Sequence, residues 1–226
     1  MLRNMLRIAI TDDHTLFRKS LGLLLNSFHD IQVCIEASDG TKLLQKLPAT
    51  EADIILLDLQ MPEMDGYTTA NKIKELYPHI KILVLTHMNE TDTIRKVVKL
   101  GVHGFFTKNT PPKELEDAIW KLKDNGFYFE KSLTSVVDEI LNTKDISGLA
   151  ENKGIAFTNR ELEIIILVAQ GLKAKEIAET LFISTKTVNS HKQNIQQKYG
   201  FDNLMSAILY CVHNNIIDLD QITIKK

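Results

Sequence analysis

Five polar residues in the first half of the chain each follow a short apolar run: Asp12, Asp13, Asp58, Thr86 and Lys108. Three carboxylates in one cleft repel each other unless a cation or a shifted pKa relieves the repulsion. Mg²⁺ suits such a cleft because it takes a few carboxylates and keeps several waters. The ammonium of Lys108 and the hydroxyl of Thr86 suit a phosphoryl group or another oxyanion. Asp58 is then a candidate nucleophile that forms an aspartyl phosphate.

Each of these residues, taken singly, also has an ordinary structural interpretation. Asp12 and Asp13 suit helix N-caps, Asp58 a turn cap, Thr86 a strand-end hydroxyl and Lys108 a solvated surface charge. Five such residues at the ends of four predicted strands favour a shared site over five unrelated roles.

The elements that must position these residues are strands and helices in strict alternation. Residues 54–57 form an apolar run without polar alternation, which is typical of a strand buried on both faces. Strands are predicted at 6–11, 31–35, 54–57, 80–85 and 104–107, and helices at about 14–28, 40–47, 67–76, 91–100 and 112–125. This alternation predicts an α/β fold with a doubly wound, five-stranded parallel sheet. Because the carboxyl ends of parallel strands meet at one edge, we expect the five polar residues to converge there.

Composition excludes several classes of protein. A net charge of −2, with 44% hydrophobic and 25% charged residues, is ordinary for a soluble protein of one or two domains. We find neither an apolar run of membrane-spanning length nor a signal-peptide pattern. Cys34 and Cys211 are the two cysteines, which excludes a disulfide framework. We therefore expect a cytoplasmic protein without a membrane partner.

The second half of the chain reads as a linker followed by a small helical domain. Residues 129–157 are predicted as a linker with a helix at 136–141, and residues 158–226 as four helices. Thr158 and Glu161 have the spacing of a capping box at the start of the first helix. A second helix is predicted at 174–181 and a fourth at 203–214. Ser184 is the candidate N-cap of the third, which ends at Tyr199 before Gly200.

The third helix has an apolar stripe and a polar face. Val188, His191, Ile195 and Tyr199 share one stripe and are expected to face the core. The other side carries side chains that suit base and phosphate contacts in a DNA major groove. The candidate DNA-binding residues are Lys186, Thr187, Asn189, Ser190, Lys192 and Gln193. The alternative is an ordinary solvated helix face.

The first half resembles the receiver domain of two-component response regulators. The residues that carry the resemblance are Asp12-Asp13, the loop D-L-Q-M-P-E-M-D-G that starts at Asp58, Leu85-Thr86, and G-F-F-T-K ending at Lys108. The resemblance covers residues 6–128, within a predicted receiver domain at 1–128, and implies a flavodoxin-like fold.

This resemblance implies roles for individual residues. Asp58 would accept a phosphoryl group from a partner histidine kinase. Mg²⁺ would be held by Asp13, Asp58 and the backbone carbonyl of Gln60, and Asp12 would contribute mainly through water. Thr86 and Phe105 match the switch pair, in which the hydroxyl moves toward the phosphoryl group and the ring packs into the vacated space. The alternative for Phe105 is plain core packing.

Two positions depart from the receiver pattern. His87 stands where a small residue is usual, which puts access to the phosphoryl group, or its lifetime, in question. Asn109 follows Lys108 where many receivers have a cis proline, so the isomer of that peptide bond is undecided.

Residues 157–217 resemble the LuxR-type helix-turn-helix. The motifs that support this resemblance are T-x-R-E-L-E, A-Q-G, K-E-I-A, L-F-I-S-x-x-T-V-x-x-H and K-Y-G. A receiver followed by this domain is identified as the NarL/FixJ type of response regulator, which implies a transcription regulator that binds double-stranded DNA through the helix at about 184–199. Asn189 stands where many relatives have Lys or Arg.

The charge of the helical domain bears on how it would bind DNA. Residues 158–226 hold eight Lys and Arg against seven Asp and Glu, so binding by one copy should be weak and salt-sensitive. We expect a homodimer, formed on phosphorylation, on paired half-sites. Its predicted surface is the stripe Leu204, Ile208, Leu209 and Val212 on the fourth helix, although packing within the domain claims part of that stripe.

The residues are also compatible with two other classes of function. One is a phosphotransfer enzyme or phosphatase that uses an aspartyl nucleophile, although a haloacid-dehalogenase-type site would want a second Asp where Gln60 stands. The other is a receiver that works through protein contacts, with a helical domain that no longer binds DNA. We predict that the chain is not an enzyme, except that the receiver catalyses its own phosphoryl transfer and dephosphorylation.

Overall fold

A parallel sheet, buried on both faces, forms the centre of the first half of the chain. The computed structural model describes residues 5–86, 91–126, 128–129, 155–201, 203–214 and 216–217. The strands are β1 Leu6–Thr11, β2 Ile31–Ala37, β3 Ile54–Asp58, β4 Lys81–Thr86, β5 Gly104–Thr107 and β6 Tyr128–Phe129, in the order β2-β1-β3-β4-β5-β6. The pairs β1–β2, β1–β3, β3–β4 and β4–β5 are all parallel. The predicted five-stranded parallel sheet is confirmed, and the two-residue β6 is an addition to it.

The run that predicted the central strand is the most deeply buried part of the sheet. Every residue of β3 is buried, and Ile55, Leu56 and Leu57 have no exposed surface. A strand buried on both faces cannot alternate apolar and polar residues, which explains the continuous apolar sequence.

Helices connect the strands, as the alternation predicted. They are α1 Thr15–Ser27, α2 Gly40–Lys46, α3 Gly66–Leu76, α4 Thr91–Lys99 and α5 Pro112–Asn125, with a 3₁₀ turn at Leu47–Ala49. Asp39 and Asp65 cap α2 and α3, because their carboxylates accept hydrogen bonds from the backbone N–H groups of Lys42 (2.9 Å) and Thr68 (2.7 Å). Gly126 follows α5 with a φ of 90°, as its predicted role in ending that helix requires.

The chain divides into two units, Met1–Ile119 and Trp120–Lys226. The predicted domain boundaries near 128 and 157 remain predictions. The predicted linker helix at 136–141 lies outside the described residues, and so does His87. The described peptide bonds are all trans, which includes the bond between Lys108 and Asn109. No helix within the described ranges has the length and apolar character needed to span a membrane.

After α5, which ends within the second unit, the described part of that unit holds four helices: α6 Asn159–Ala169, α7 Ala174–Thr180, α8 Thr185–Tyr199 and α9 Leu204–His213. Their apolar faces share one core, which includes Ile165, Ile177, Val188 and Ile195. The predicted caps are confirmed. Ser184 accepts a hydrogen bond from the N–H of Thr187 (3.0 Å) at the start of α8, and Gly200 follows its end with a φ of 69°.

Gly66, at the start of α3, lies too close to the backbone of β3 to carry a side chain. A Cβ at this position would lie 2.2 Å from the carbonyl oxygen of Asp58 and 2.6 Å from the Cα of Leu59. The N–H of Gly66 donates a hydrogen bond to the carbonyl of Leu59 (2.9 Å), which holds the loop after Asp58 against the strand. Loop closure therefore depends on a residue without a Cβ.

We expect Gly66→Ala to lower the free energy of unfolding of the first unit by about 2 kcal/mol or more, because the backbone must shift to admit the methyl group. Gly22→Ala in α1 is the matched control. A Cβ there meets Glu36 Oε1 at 3.5 Å, an ordinary contact, and alanine in a helix should gain about 0.5–1 kcal/mol. Urea unfolding of the full chain, with hydrogen exchange of the β3 amides, measures both. Equal effects of the two substitutions would contradict the close approach.

Candidate functional site

Three charged side chains from three strand ends meet at the carboxyl edge of the sheet. Asp12 follows β1, Asp58 ends β3 and Lys108 follows β5. The Lys108 Nζ lies 2.7 Å from Asp12 Oδ2 and 2.5 Å from Asp58 Oδ2. All three side chains are almost completely buried. The structure thus brings together residues that are far apart in sequence, as the parallel topology requires.

Asp13 and His14 complete this cluster on its solvent side. One ligand atom from each of Asp12, Asp13, His14 and Asp58 lies within 4.8 Å of the others. The His14 Nδ1 lies 2.9 Å from Asp13 Oδ1 and 3.6 Å from Asp12 Oδ1. Sequence reasoning missed His14, although its position directly after Asp12-Asp13 is a signal that could have found it.

Backbone groups and one arginine orient the carboxylates. The N–H of His14 donates to Asp12 Oδ1 (2.8 Å), and the N–H of Gln60 donates to Asp58 Oδ1 (3.3 Å). Arg18 Nη1 donates to the backbone carbonyl of Asp12 (2.5 Å). Asp12 and Asp58 are therefore each held in place by the loop that follows them. Asp12 is also held by Arg18 of α1.

The electrostatics of Asp58 reflect its burial. Desolvation raises the pKa of this carboxyl group, Lys108 opposes the rise by hydrogen bonding and by charge, and Asp12 adds to it. The pKa remains above its ordinary value. One lysine does not fully compensate the buried carboxylates, so a further cation would favour the ionised form of Asp58.

The donor set fits a hard divalent cation. Carboxylates from Asp12, Asp13 and Asp58 converge, and Asp13 is partly exposed, which leaves room for water in the coordination sphere. Mg²⁺ binds through one or two carboxylates and retains water ligands. The residues present are therefore compatible with the Mg²⁺-dependent phosphoryl transfer that the sequence predicts.

The other predicted residues of the first unit are only partly described. Phe105 is fully buried in β5, and its Cα is paired with that of Val84 in β4. The Cα of Thr86 is paired with that of Thr107, which places it at the same sheet edge, but its side chain lies outside what the structure describes. The predicted switch movement of Thr86 and Phe105 therefore stays a prediction.

A second residue that sequence reasoning missed is Phe17 in α1. Its ring centroid lies 5.0 Å from Lys108 Nζ, within the range of a cation–π contact. The two side chains also line a cavity of about 160 Å³, together with Leu21, Phe106 and Leu115. Helical periodicity predicts that Phe17 faces inward, but no local pattern names Lys108 as its partner.

In the second unit, α8 presents most of the predicted DNA-binding residues. Lys186, Thr187, Asn189, Ser190 and Gln193 are exposed. Of the predicted core stripe, Val188 and Ile195 are buried, and His191 and Tyr199 are half-buried. Lys192 differs from the other predicted contact residues because it is only 5% exposed. A DNA contact by Lys192 stays a prediction, and in this structure its side chain is not on the open face.

The predicted dimer stripe on α9 is buried. Leu204 and Ile208 belong to the core of the second unit, and Leu209 and Val212 are also buried. The intradomain packing that was the alternative therefore accounts for Leu204 and Ile208. A dimer that uses this stripe remains a prediction.

Glu161 fixes the C-terminal end of α8 to the start of α6. Its carboxylate accepts hydrogen bonds from the N–H of Thr158 (2.8 Å), the Tyr199 hydroxyl (2.8 Å) and Lys198 Nζ (3.0 Å). The N–H of Glu161 donates to Thr158 Oγ1 (3.2 Å), which completes the predicted capping box. Burial raises the pKa of Glu161, but these hydrogen bonds outweigh burial and hold the pKa at about 2.

The fold and the two sites define a receiver domain followed by a helix-turn-helix domain. Residues 8–120 match the family model described as the response regulator receiver domain, and residues 156–211 match that of bacterial regulatory proteins of the luxR family. The chain therefore belongs to the two-component response regulators of the NarL/FixJ type, which are DNA-binding regulators.

Individual relatives agree with this family along nearly the whole chain. The oxygen regulatory protein NreC of Staphylococcus carnosus is 33% identical over 216 residues, which cover 94% of this chain and all of NreC. A structure of two RcsB dimers bound to two parallel DNAs is 27% identical, with a TM-score of 0.56 over 93% of this chain and 99% of that chain.

A further RcsB structure was obtained with DNA in the presence of a phosphoryl mimic. The structure of RcsB from Salmonella enterica serovar Typhimurium bound to promoter rprA, in the presence of phosphomimetic BeF3−, is also 27% identical. Its TM-score is 0.52, and the match covers 94% of this chain and all of that chain.

The low pKa of Glu161 gives a pH dependence with a defined sign. The ordinary value is 4.5 and the folded value is about 2, so the stabilisation is fully present above pH 4.5 and is lost as the pH falls from 4.5 toward 2. Glu161→Gln should lower the free energy of unfolding of the second unit at pH 6 by about 1–3 kcal/mol. It should also make that free energy less dependent on pH between 5 and 3.

Urea unfolding at several pH values, with hydrogen exchange in α6 and α8, measures both effects. Glu163→Gln is the control, because Glu163 pairs with Arg160 at the surface (2.8 Å) and such pairs contribute less than about 1 kcal/mol. An unchanged pH slope in Glu161→Gln would show that Glu161 is not the group responsible.

Proposed function

We propose that this chain is a phosphorylation-switched transcription regulator, in which Asp58 accepts a phosphoryl group from a partner histidine kinase with Mg²⁺ bound. The observation that carries the proposal is the buried meeting of Asp12, Asp58 and Lys108 at the sheet edge. The proposal places the chain in the cytoplasm, where its kinase partner and DNA would both be accessible.

The chemistry follows from the contacts of Asp58. An oxygen of the ionised carboxylate attacks the phosphorus, the bond between phosphorus and the donor's imidazole nitrogen breaks, and that nitrogen keeps the electron pair. Lys108 already contacts Asp58 Oδ2 and would donate to an oxygen of the transferred group. When bound, Mg²⁺ supplies positive charge that offsets the negative charge of the phosphoryl group. Asp13, Asp58 and the Gln60 carbonyl would hold it, and Asp12 would act through water.

The switch follows from the charge that phosphorylation adds. Lys108 would exchange part of its contact with Asp58 for the new phosphoryl oxygens, and the hydroxyl of Thr86 would donate to the same group. Support comes from the register of β4 and β5, which places Thr86 beside Thr107 and Phe105 beside Val84. A movement of Thr86 toward the site would open space that the Phe105 ring fills.

The enzymatic alternative has less support. Hydrolysis of the aspartyl phosphate by the receiver itself belongs to the proposal, but turnover of an external substrate would need an additional acid. Position 60, where a haloacid-dehalogenase-type enzyme would place one, is occupied by the exposed Gln60. The N–H of Gln60 is already directed at Asp58 Oδ1 (3.3 Å).

We expect the full chain to gain one phosphoryl group when it is incubated with acetyl phosphate and Mg²⁺, and Asp58→Ala to gain none. Intact-mass spectrometry measures the adduct. Asp117→Ala is the matched control, because Asp117 is an exposed carboxylate on α5 and its loss should leave the adduct in place. An unmodified wild-type chain that also fails to bind beryllofluoride would exclude the proposed switch.

DNA binding would use the exposed face of α8. Gln193 and Asn189 suit adenine edges in the major groove, and Lys186 suits a phosphate or guanine. Because Lys and Arg barely outnumber Asp and Glu in the helical domain, one copy would make few phosphate contacts. We therefore infer that a homodimer, favoured by phosphorylation, binds paired half-sites. The RcsB structure with dimers on DNA supports this arrangement by family likeness.

Two substitutions on α8 should have different signatures in DNA binding. Gln193→Ala should cost about 1–3 kcal/mol for each half-site of the selected DNA and relax sequence preference, because it removes a contact to a base edge from each copy. Lys186→Ala should weaken binding to all sequences and reduce the salt slope of the dimer by about 2, because it removes one phosphate contact from each copy. Fluorescence anisotropy on a DNA sequence chosen by in vitro selection, at several salt concentrations, separates the two.

The control is Lys113→Ala, which removes another exposed lysine, from α5 in the first unit. It should leave both the sequence preference and the salt slope unchanged. If the phosphorylated chain selects no DNA at all, the alternative of a receiver that acts through protein contacts takes the place of this proposal.

A further inference from the structure

His14 places an imidazole nitrogen among the carboxylates of the acidic site. Its Nδ1 lies 2.9 Å from Asp13 Oδ1 and 3.6 Å from Asp12 Oδ1. All four candidate ligand atoms of the cluster, including one from Asp58, lie within 4.8 Å of one another. Two ligands with metal bonds of about 2.1 Å are about 3 Å apart when adjacent and about 4.2 Å apart when opposite. The spacing of these atoms is therefore close to that of ligands around a single ion.

The backbone of His14 is already held in a position that directs the ring to the site. Its N–H donates to Asp12 Oδ1 (2.8 Å), and the residue is the N-cap of α1 with extended backbone angles. The side chain does not cap the helix by hydrogen bonding to it. The imidazole therefore does not cap α1, and its contact with Asp13 (2.9 Å) helps to orient the ring.

The exposure of the ring suits exchange of ligands. The His14 side chain is 64% exposed, whereas Asp12 and Asp58 are buried. An ion that enters from solvent therefore meets Asp13 and His14 before the buried acids. For Nδ1 to bind a metal, the neutral ring must carry its proton on Nε2, and the exposed position of the ring is compatible with this tautomer.

We propose that His14 is a direct ligand of the divalent-ion site, and that the site therefore favours ions with affinity for imidazole, such as Co²⁺ and Ni²⁺, over Mg²⁺. Oxygen ligands suit Mg²⁺, whereas imidazole suits later transition ions, whose affinity rises along the first row. A site of carboxylates alone discriminates less between these ions. The inference rests on the ion site of the proposed function and adds to it a ligand and a metal preference.

The first test is a comparison of metal affinities by isothermal titration calorimetry on the full, tag-free chain. His14→Ala should lower the affinity for Co²⁺ at least about tenfold, and that for Mg²⁺ less than about twofold. His29→Ala is the matched control, because His29 is 92% exposed and pairs with Asp30 away from the cluster. Equal losses for Co²⁺ and Mg²⁺ in His14→Ala would mean that His14 only orients Asp13, and would overturn the proposal.

The second test detects the nitrogen ligand directly. Electron spin echo envelope modulation of the Mn²⁺-loaded protein should show coupling to a ¹⁴N nucleus in wild type and in His29→Ala, and none in His14→Ala. His87→Ala is also required, because His87 follows Thr86 in the sequence. Coupling that disappears in His87→Ala but persists in His14→Ala would assign the nitrogen to His87 and overturn the proposal.

A failure of this inference is distinguishable from a failure of the proposed function. If Mn²⁺ binds with an affinity that depends on Asp58, but without nitrogen coupling, the ion site stands and His14 is not a ligand. If no divalent ion binds to the wild-type chain, and Asp58→Ala is indistinguishable from it, the ion site itself is absent and both proposals are wrong.

Discussion

The contact of Lys108 with Asp12 and Asp58 is the interaction on which the first unit depends. Two buried carboxylates and one buried ammonium meet at 2.5–2.7 Å, and each comes from a different strand end. Removing charges from water is costly, and deleting one partner of such a group is strongly destabilising because it leaves a buried charge uncompensated. The sheet must therefore hold its strand ends in register for these charges to be tolerated. Gly66 and the loop hydrogen bond to Leu59 serve that requirement at β3.

The negative charge of this group is not fully neutralised, and the proposed function depends on that imbalance. The cluster has more carboxylates than Lys108 neutralises, and the pKa of Asp58 is raised mainly by burial. Under the proposed function, a bound cation and a transferred phosphoryl group would each change this balance, in opposite senses. A site that is stable but incompletely neutralised responds to both, whereas a fully paired site would respond to neither.

Most of the fold and much of the acidic site follow from the sequence, because buried parallel strands have continuous apolar runs and their ends share one edge. Asp12, Asp13, Asp58 and Lys108 were predicted on that ground. Phe17 was missed because its contact with Lys108 joins distant segments, which a periodic pattern does not encode. His14 was missed because the direction of its ring toward Asp13 is not fixed by sequence spacing. Lys192 shows a different limit. It lies four residues after Val188 and three before Ile195, so helical spacing places it on the buried stripe, while its charge suggested the open face.

The second unit fixes α8 at both ends, and this constrains how phosphorylation could control the proposed DNA-binding helix. Ser184 caps the start of α8, and Glu161 binds Lys198 and Tyr199 at its end. A helix anchored in this way has little freedom to change its own shape. Its domain is also almost neutral, so the affinity of a single copy for DNA would be limited by few phosphate contacts. Under the proposed function, the simplest control is therefore over how many copies bind together, since pairing multiplies weak contacts without any change in α8.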